Sequence, residues 1–256
     1  MTNTTSTRTH LVSFRTDETR EALVKLRQAT ETLLPQFGDE SWNKHCLLTM
    51  NVTVLSRLLY LNDLYQKIIS VPGVICEFGV QWGATLTQLI NLRSIYEPFN
   101  HSRTIHGFDT FEGFPSVHEI DGPGYREGDM SSQQNHEIEL EKILTLIEKF
   151  PPMSHLKKFE IIKGDVNVTV ENWLNENPHA IVSLAIFDMD LYVPTKRVLE
   201  LIRPRLTKGS VLAFDELNCK AFPGETHALD EVFGLNNLKI RRSPFHPFGA
   251  WAVYGE

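Results

Sequence analysis

The sequence predicts an α/β domain: a mostly parallel seven-stranded sheet, closed by a C-terminal antiparallel hairpin and preceded by accessory helices. Three observations predict it. From Gly73 onward, short apolar runs alternate with segments of helical spacing, the pattern of strand–helix–strand units. Central runs such as Ile181–Phe187 are apolar at successive positions, so both of their faces are covered, as in a parallel sheet. The last two runs, Leu238–Arg242 and Ala250–Tyr254, are joined by Ser-Pro-Phe-His-Pro-Phe-Gly with no helix. A connection that short makes an antiparallel pair.

In order, the chain opens with a polar, Thr-rich stretch, MTNTTSTRT, expected to be a loose tail. Asp17–Leu34 places Leu23, Leu26, Leu33 and Leu34 at roughly helical spacing, with Thr16 or Asp17 as its cap. Leu47–Ile69 carries an apolar face of Val54, Leu58, Leu61, Leu64, Tyr65 and Ile68. Both helices precede the first strong strand, so residues 1–72 read as an addition to a domain at 73–256. There, Val74–Phe78, Thr104–Phe108, Phe159–Lys163, Ile181–Phe187 and Ser210–Phe214 are strands. Helices fall at Ala84–Tyr96, Glu137–Phe150, near Val170–Asn175 and at Pro194–Leu206. Glu112–Asn135, rich in Gly, Pro and polar residues, is long enough to be a lid over a ligand; a plain surface loop is the alternative.

Composition excludes several classes. At 256 residues and 41% apolar, the chain can bury one large core. A formal charge of −7 without basic runs argues against nucleic acid as a partner. No apolar stretch is long enough to span a bilayer, and no signal-peptide core opens the chain, which reads as cytoplasmic. Three scattered cysteines, Cys46, Cys76 and Cys219, suggest neither a disulfide framework nor a thiolate zinc site. No GxSxG elbow supports nucleophilic serine chemistry.

The chemistry concentrates where strands end. The first strand runs into Glu77-Phe78-Gly79-Val80-Gln81-Trp82-Gly83, an ExGxxxG turn. Ligands of open parallel sheets bind at such turns, and glycine lets them approach the backbone. Gln81 replaces the middle glycine of the dinucleotide pattern and Trp82 is bulky, so a ligand without phosphates fits better. Glu77 can accept from the ammonium of an amino-acid ligand. Asp109 ends the second strand, where a carboxylate offers two acceptors to a ribose; capping the next helix is the plain alternative. Asp165 ends the third and can accept from an adenine amino group, or simply belong to a Gly-Asp turn. Two further strands end in acids: Asp188 and Asp190 after Ile181–Phe187, Asp215 and Glu216 after Val211–Phe214. His118 and His136 lie in or beside the candidate lid, and His106 within a strand.

A parallel sheet closed by an antiparallel hairpin is the usual plan of class I S-adenosylmethionine methyltransferases. The segments EFGVQWG, GFDTFEGFP, FDMDLYVPTKRVLELIRPRLTKGSVLAFDE and PGETHALDEV together resemble the macrocin O-methyltransferase family. That resemblance covers Gly73 to the C-terminus. It implies a Rossmann-like fold, S-adenosylmethionine as donor, Mg²⁺ held by carboxylates, and a sugar hydroxyl of a natural product or glycan as acceptor. It also implies Glu77, Gly79, Asp109 and Asp165 at the donor, and Asp188, Asp215 and Glu216 at the metal. The family more often has Asp-Gly-Asp where this chain has Asp188-Met189-Asp190, and more often a second Asp where it has Glu216.

On this reading two strands deliver Asp188 and Asp215 to one edge beside the donor, and Glu216 adds a third oxygen ligand for a hard cation. Asp190 is expected to cap the following helix or orient Asp188. The expected reaction is methyl transfer to a hydroxyl, with Asp188 the first choice of base and His136 the second. The acceptor is a small hydroxylated molecule, and the N-terminal helices could pair subunits. Two rivals are a nicotinamide oxidoreductase and a non-catalytic ligand-binding or oligomerisation module of the same fold.

Overall fold

A computed structural model describes residues 16–38 and 40–256; the expected N-terminal tail lies outside them. They fall into two compact units, one ending at Arg57 and one spanning Leu58–Glu256. The division lies inside the second predicted helix.

The first unit contains α1 (Asp17–Leu33), the single turn α2 (Trp42–His45) and the start of α3 (Val52–Ile68). Thr16 is the cap of α1, its hydroxyl accepting from Thr19 N–H at 3.2 Å. No described residue of this unit is fully buried, and Trp42, Leu47, Leu48 and Val52 are exposed.

The second unit is built on a seven-stranded sheet in the order β3-β2-β1-β4-β5-β7-β6. The strands are β1 (Val74–Phe78), β2 (Ile105–Asp109), β3 (Phe159–Lys163), β4 (Val182–Phe187), β5 (Leu206–Phe214), β6 (Arg241–Arg242) and β7 (Ala250–Val253). The first five run parallel; β7 is antiparallel to β5 and β6. Helices α4 (Ala84–Tyr96), α5 (His136–Ile147), α6 (Val166–Glu176), α7 (Tyr192–Ile202) and α8 (Gly224–Phe233) complete the unit. The expected hairpin is therefore present, and β5 begins four residues earlier than its apolar run.

One helix, α8, is absent from the sequence expectation. Pro223-Gly224 opens it, and Ala228, Leu229, Val232 and Phe233 recur at helical spacing within it; Ala228, Leu229 and Phe233 are buried.

Side chains alternate across each strand, so every central strand feeds two cores. Phe78, Phe108, Phe187 and Phe214 face one side, where neighbouring rings lie 4.9–5.3 Å apart between centroids. Ile75, Leu184, Ile186, Val211 and Ala213 face the other, against Leu86, Leu89, Leu140 and the second half of α3. Tyr60, Leu61, Leu64, Tyr65 and Ile68 of α3 thus belong to the sheet's core. The chain winds outward from β1 through β2 to β3, then returns beside β1 as β4. The switch point between β1 and β4 is where an open parallel sheet makes a crevice for ligands.

Candidate active site at the carboxyl edge of the sheet

Gly79 follows β1, Asp188 follows β4, and the two main chains touch. Asp188 N–H donates to the Phe78 carbonyl at 2.9 Å. A Cβ added at Gly79 would meet the Asp188 carbonyl oxygen at 1.9 Å. The glycine is therefore demanded by β4 as well as by its φ of +93°. Gly83 (φ +82°) is similar: Leu140 of α5 fills the space beside it. Within the chain, both glycines are required by close packing.

Asp109 is held within the chain as well. Its Oδ2 accepts from Val80 N–H (2.7 Å) and Gln81 N–H (2.8 Å), and Oδ1 from Phe111 N–H (2.5 Å). It caps no helix. It holds the β1–α4 turn in shape, including Gln81 at φ +49°, and keeps only residual acceptor capacity for a ribose. It also fills, with a carboxylate, the N–H positions on which a pyrophosphate would rest, which counts against the nicotinamide reading. Asp165 caps α6, its Oδ1 accepting from Asn167 N–H at 2.9 Å. Glu77 is buried at the end of β1.

The two acidic strand ends converge. One oxygen each from Asp188, Asp215 and Glu216 lies within 4.8 Å of the others. Asp215 is buried, whereas Asp188 and Glu216 are half-buried, so the group opens on one side. Asp190 does not cap α7: Leu191 holds the cap position, and Tyr192 N–H donates instead to Asp121 Oδ1 at 2.6 Å. Asp190 sits at the centre of a tight turn, with φ +64° and Leu191 N–H bonded to the Met189 carbonyl at 2.7 Å. This is the strained, positive-φ form of the γ-turn. It turns the Asp190 carboxyl toward the cluster, where burial, then Asp215 and Asp121, push its pKa up to about 7. Burial first, then Asp215 and Asp190, hold Glu216 well above the usual carboxylate range.

His136 is not in this group. It is buried at the start of α5, edge-on to Trp82 with ring centroids 4.9 Å apart, and its Nε2 lies 3.3 Å from the Trp82 carbonyl. His106 packs on Trp173 and bonds Glu160 at 3.1 Å, away from the strand ends. The segment 112–135 is tied down at several points. Gln81 Nε2 donates to the Met130 carbonyl (3.1 Å), Tyr125 O–H to the Ala221 carbonyl (2.7 Å), and the Tyr125 ring stacks on Phe222. Burial, then Asp190, Cys219 and Glu216, push the Tyr125 phenol up to about 12. The segment thus reaches from the donor turn to the acids.

The family profile described as Macrocin-O-methyltransferase (TylF) matches residues 3–240. The chain belongs to the macrocin O-methyltransferase family. It is 22% identical over 215 residues, 81% of each chain, to mycinamicin III 3''-O-methyltransferase of Micromonospora griseorubida. The solved structure of CalS11, a calicheamicin methyltransferase, superposes with a TM-score of 0.89 at 38% identity, covering 94% of this chain and 95% of that one. An apo structure of CalS11, described as a TDP-rhamnose 3'-O-methyltransferase, gives 0.82 at 35% identity over 94% and 96% of the two chains. These relatives make this macrocin-family chain an O-methyltransferase and its fold that of the class I enzymes.

Two residues of this O-methyltransferase's edge escaped the sequence reading. Glu225, in the first turn of α8, is fully buried, and its Oε2 accepts from Glu216 N–H at 3.1 Å. Burial first, then Asp190, Asp215 and Asp188, raise its pKa well above the usual range. His246, in the β6–β7 connection, places Nε2 3.8 Å from Asp215 Oδ2. Finding α8 in the sequence would have put Glu225 beside the strand ends; nothing local marks His246.

Proposed function

We propose that this O-methyltransferase moves the methyl group of S-adenosylmethionine to a sugar hydroxyl, with one Mg²⁺ held by Asp188, Asp215 and Glu216. The observation that carries this reading is the convergence of those three carboxylates within 4.8 Å, on strand ends whose main chain packs against the Gly79 turn. The fit is chemical: all three donors are carboxylate oxygens, the set a hard cation prefers, and the group is open on one side. The raised pKa values of Asp190, Glu216 and Glu225 express acids crowded together in a low-dielectric place, a crowding a divalent charge relieves.

When bound, the donor supplies an electrophilic methyl on a positive sulfonium, and the cation lowers the pKa of a nearby hydroxyl. The chain's own residues do the rest. Buried Glu77 receives the donor's ammonium. Asp109 keeps the β1–α4 turn rigid beneath the donor. Asp188 takes the proton leaving the acceptor hydroxyl onto a carboxylate oxygen. The oxygen forms its bond to carbon as the carbon–sulfur electrons return to sulfur, so near-linear positioning dominates the rate. The segment 112–135 closes over donor and acceptor and excludes water. Small hydroxylated acceptors and a cytoplasmic setting belong to the same reading.

The name of one relative, a TDP-rhamnose 3'-O-methyltransferase, favours a deoxysugar acceptor, carried on a nucleotide or on a natural product. Turnover with S-adenosylmethionine, Mg²⁺ and either TDP-rhamnose or a rhamnosyl glycoside tests it, reading S-adenosylhomocysteine and the methylated sugar by mass spectrometry. EDTA should stop the reaction and Mg²⁺ or Mn²⁺ restore it. Full activity in a metal-stripped enzyme, checked by elemental analysis, would defeat the cation reading. No methylation of either sugar carrier would defeat the acceptor reading.

A further inference from the structure

Glu225 is 0% exposed, yet no lysine, arginine or histidine pairs with it among the described residues, and its Oε1 has no hydrogen-bond partner. Carboxylates Asp188, Asp190 and Asp215 stand near it. Burying a carboxyl in such company costs stability, and natural folds keep that cost mainly where function needs it. The fold also constrains its neighbour to put it there. A Cβ at Gly224 would meet Tyr192 N at 2.4 Å and Asp121 Oδ1 at 2.6 Å, so only glycine lets α8 start this close to α7.

The bond that Glu225 does make is informative. Beyond Asp215 the chain leaves the sheet as an irregular segment, with Asn218 at φ +61°. The first turn of α8 grips this segment through main-chain N–H groups: Glu225 accepts from Glu216 N–H at 3.1 Å and Thr226 Oγ1 from Asn218 N–H at 3.0 Å. Fixing the backbone at Glu216 fixes where its longer side chain departs from. Glutamate has one more rotatable bond than aspartate, so its carboxylate reaches a defined place only if its backbone is held.

We propose that Glu225 is a positioning residue of the carboxylate group: by holding the Glu216 main chain it directs the Glu216 carboxylate toward Asp188 and Asp215. This rests on the reading that the group binds a divalent cation. The role belongs to the acceptor oxygen of Glu225 and not to its charge.

The test is Mn²⁺ binding to the full chain, followed by electron paramagnetic resonance, with S-adenosylhomocysteine binding and thermal melting as checks of the fold. Glu225→Met keeps the volume and removes the acceptor; Glu225→Asp keeps a charge and withdraws the acceptor by one carbon. Both should bind Mn²⁺ about ten- to a hundredfold more weakly, the usual effect of losing a group that orients a metal ligand. Glu225→Gln still offers a carbonyl oxygen to Glu216 N–H and should stay close to the parent. The metal-free Glu225→Met protein should melt no lower than the parent, because an apolar isostere replaces a poorly satisfied buried acid. If Met does not pack, the contrast between Asp and Gln decides. Parent-like Mn²⁺ affinity in the Asp or Met variant overturns the proposal, and so does a loss in Gln as large as in Asp. Absence of Mn²⁺ binding by the parent itself would instead overturn the cation reading.

Discussion

The two ends of the central sheet bury charge in opposite ways. At the amino edge, buried Arg103 donates to Glu97 Oε2 (2.8 Å), Ser183 Oγ (2.7 Å) and the carbonyls of Ile68, Val71 and Gly73. Nearby, buried Arg93 and Lys158 share Glu148, and Arg93 also donates to the Lys158 carbonyl at 2.8 Å. Cations there meet anions and carbonyls with little left over. Burial still lowers Arg93 to about 10, but Glu97 is held below its ordinary value by bonds from Arg103, Tyr65 and Asn100 that outweigh burial. At the carboxyl edge, Asp190, Glu216 and Glu225 are all pushed upward. The first edge is built to be stable alone. The second is built as if positive charge were still to arrive.

The comparison predicts opposite signs for removing a charge. Arg103→Met should destabilise the protein by about 3–5 kcal/mol, because it takes the only ion-pair partner from half-buried Glu97 among the described residues and leaves three carbonyls without its donors. Denaturant melts measure this, and a loss below about 1 kcal/mol would show that the amino edge is not held by charge pairing. Asp215→Asn should leave the metal-free protein as stable or more so, since it relieves crowding. The same change should cut turnover by at least about a hundredfold, as several kcal/mol of cation-dependent charge stabilisation disappear. S-adenosylhomocysteine binding, which the proposed donor site places at Glu77 and the β1–α4 turn, should persist. A lower melting temperature for metal-free Asp215→Asn would break the contrast between the edges.

How much of this was legible depends on whether the signal was local. Strands β1 to β5 and the helices between them carry dense apolar patterns, and an apolar run ending in acids marks a strand end wherever it lies, so Asp188, Asp215 and Glu216 could be grouped from sequence. What the sequence does not carry is which atom meets which. Asp109 sits where a ribose acceptor is expected, and its Oδ2 also accepts from Gln81 N–H, 28 residues earlier. Asp190 stands before a helix and looks like its cap, yet the cap bond comes from Asp121, 71 residues away. Gly79 ends the first strand where a ligand-binding glycine is expected, and the Asp188 carbonyl also occupies its Cβ position. Helix α8 was missed because its apolar positions fill only one short face, and Glu225 was lost with it.

A smaller effect sharpens the donor side. Asp109→Ala removes two charge-assisted hydrogen bonds from the β1–α4 turn, to Val80 and Gln81 N–H, each contributing roughly 1.5–3 kcal/mol when intact. Water replaces part of that, and calorimetry should show S-adenosylhomocysteine binding at least about tenfold weaker. Mn²⁺ binding should be nearly unchanged, because no ligand of the cation group is altered. Equal losses of both would mean that the donor turn and the acidic group form one unit, held together through the Gly79–Asp188 approach.

The smallest effect concerns an imidazole beside the acidic group. His246 is fixed with care: Gly249 N–H donates to its Nδ1 at 2.7 Å, and its ring stacks on Tyr60 with centroids 5.7 Å apart. A Cβ on Gly249 would lie 2.8–2.9 Å from three atoms of the His246 side chain. Because Nδ1 is an acceptor, the neutral ring carries its proton on Nε2, the nitrogen that faces Asp215. At 3.8 Å that contact is longer than a hydrogen bond and is partly screened by water, so it is worth about 0.2–1 kcal/mol at most. His246→Phe keeps a ring against Tyr60 and deletes Nε2–H. If the imidazole steadies Asp215 for a cation, Mn²⁺ should bind up to about fivefold more weakly in the variant. If it instead stands in for the cation, as a proton-bearing group filling part of the same role, Mn²⁺ should bind more tightly once it is gone. The first outcome joins His246 to the machinery of the carboxyl edge; the second makes it the edge's own, weaker version of the pairing seen at the amino edge.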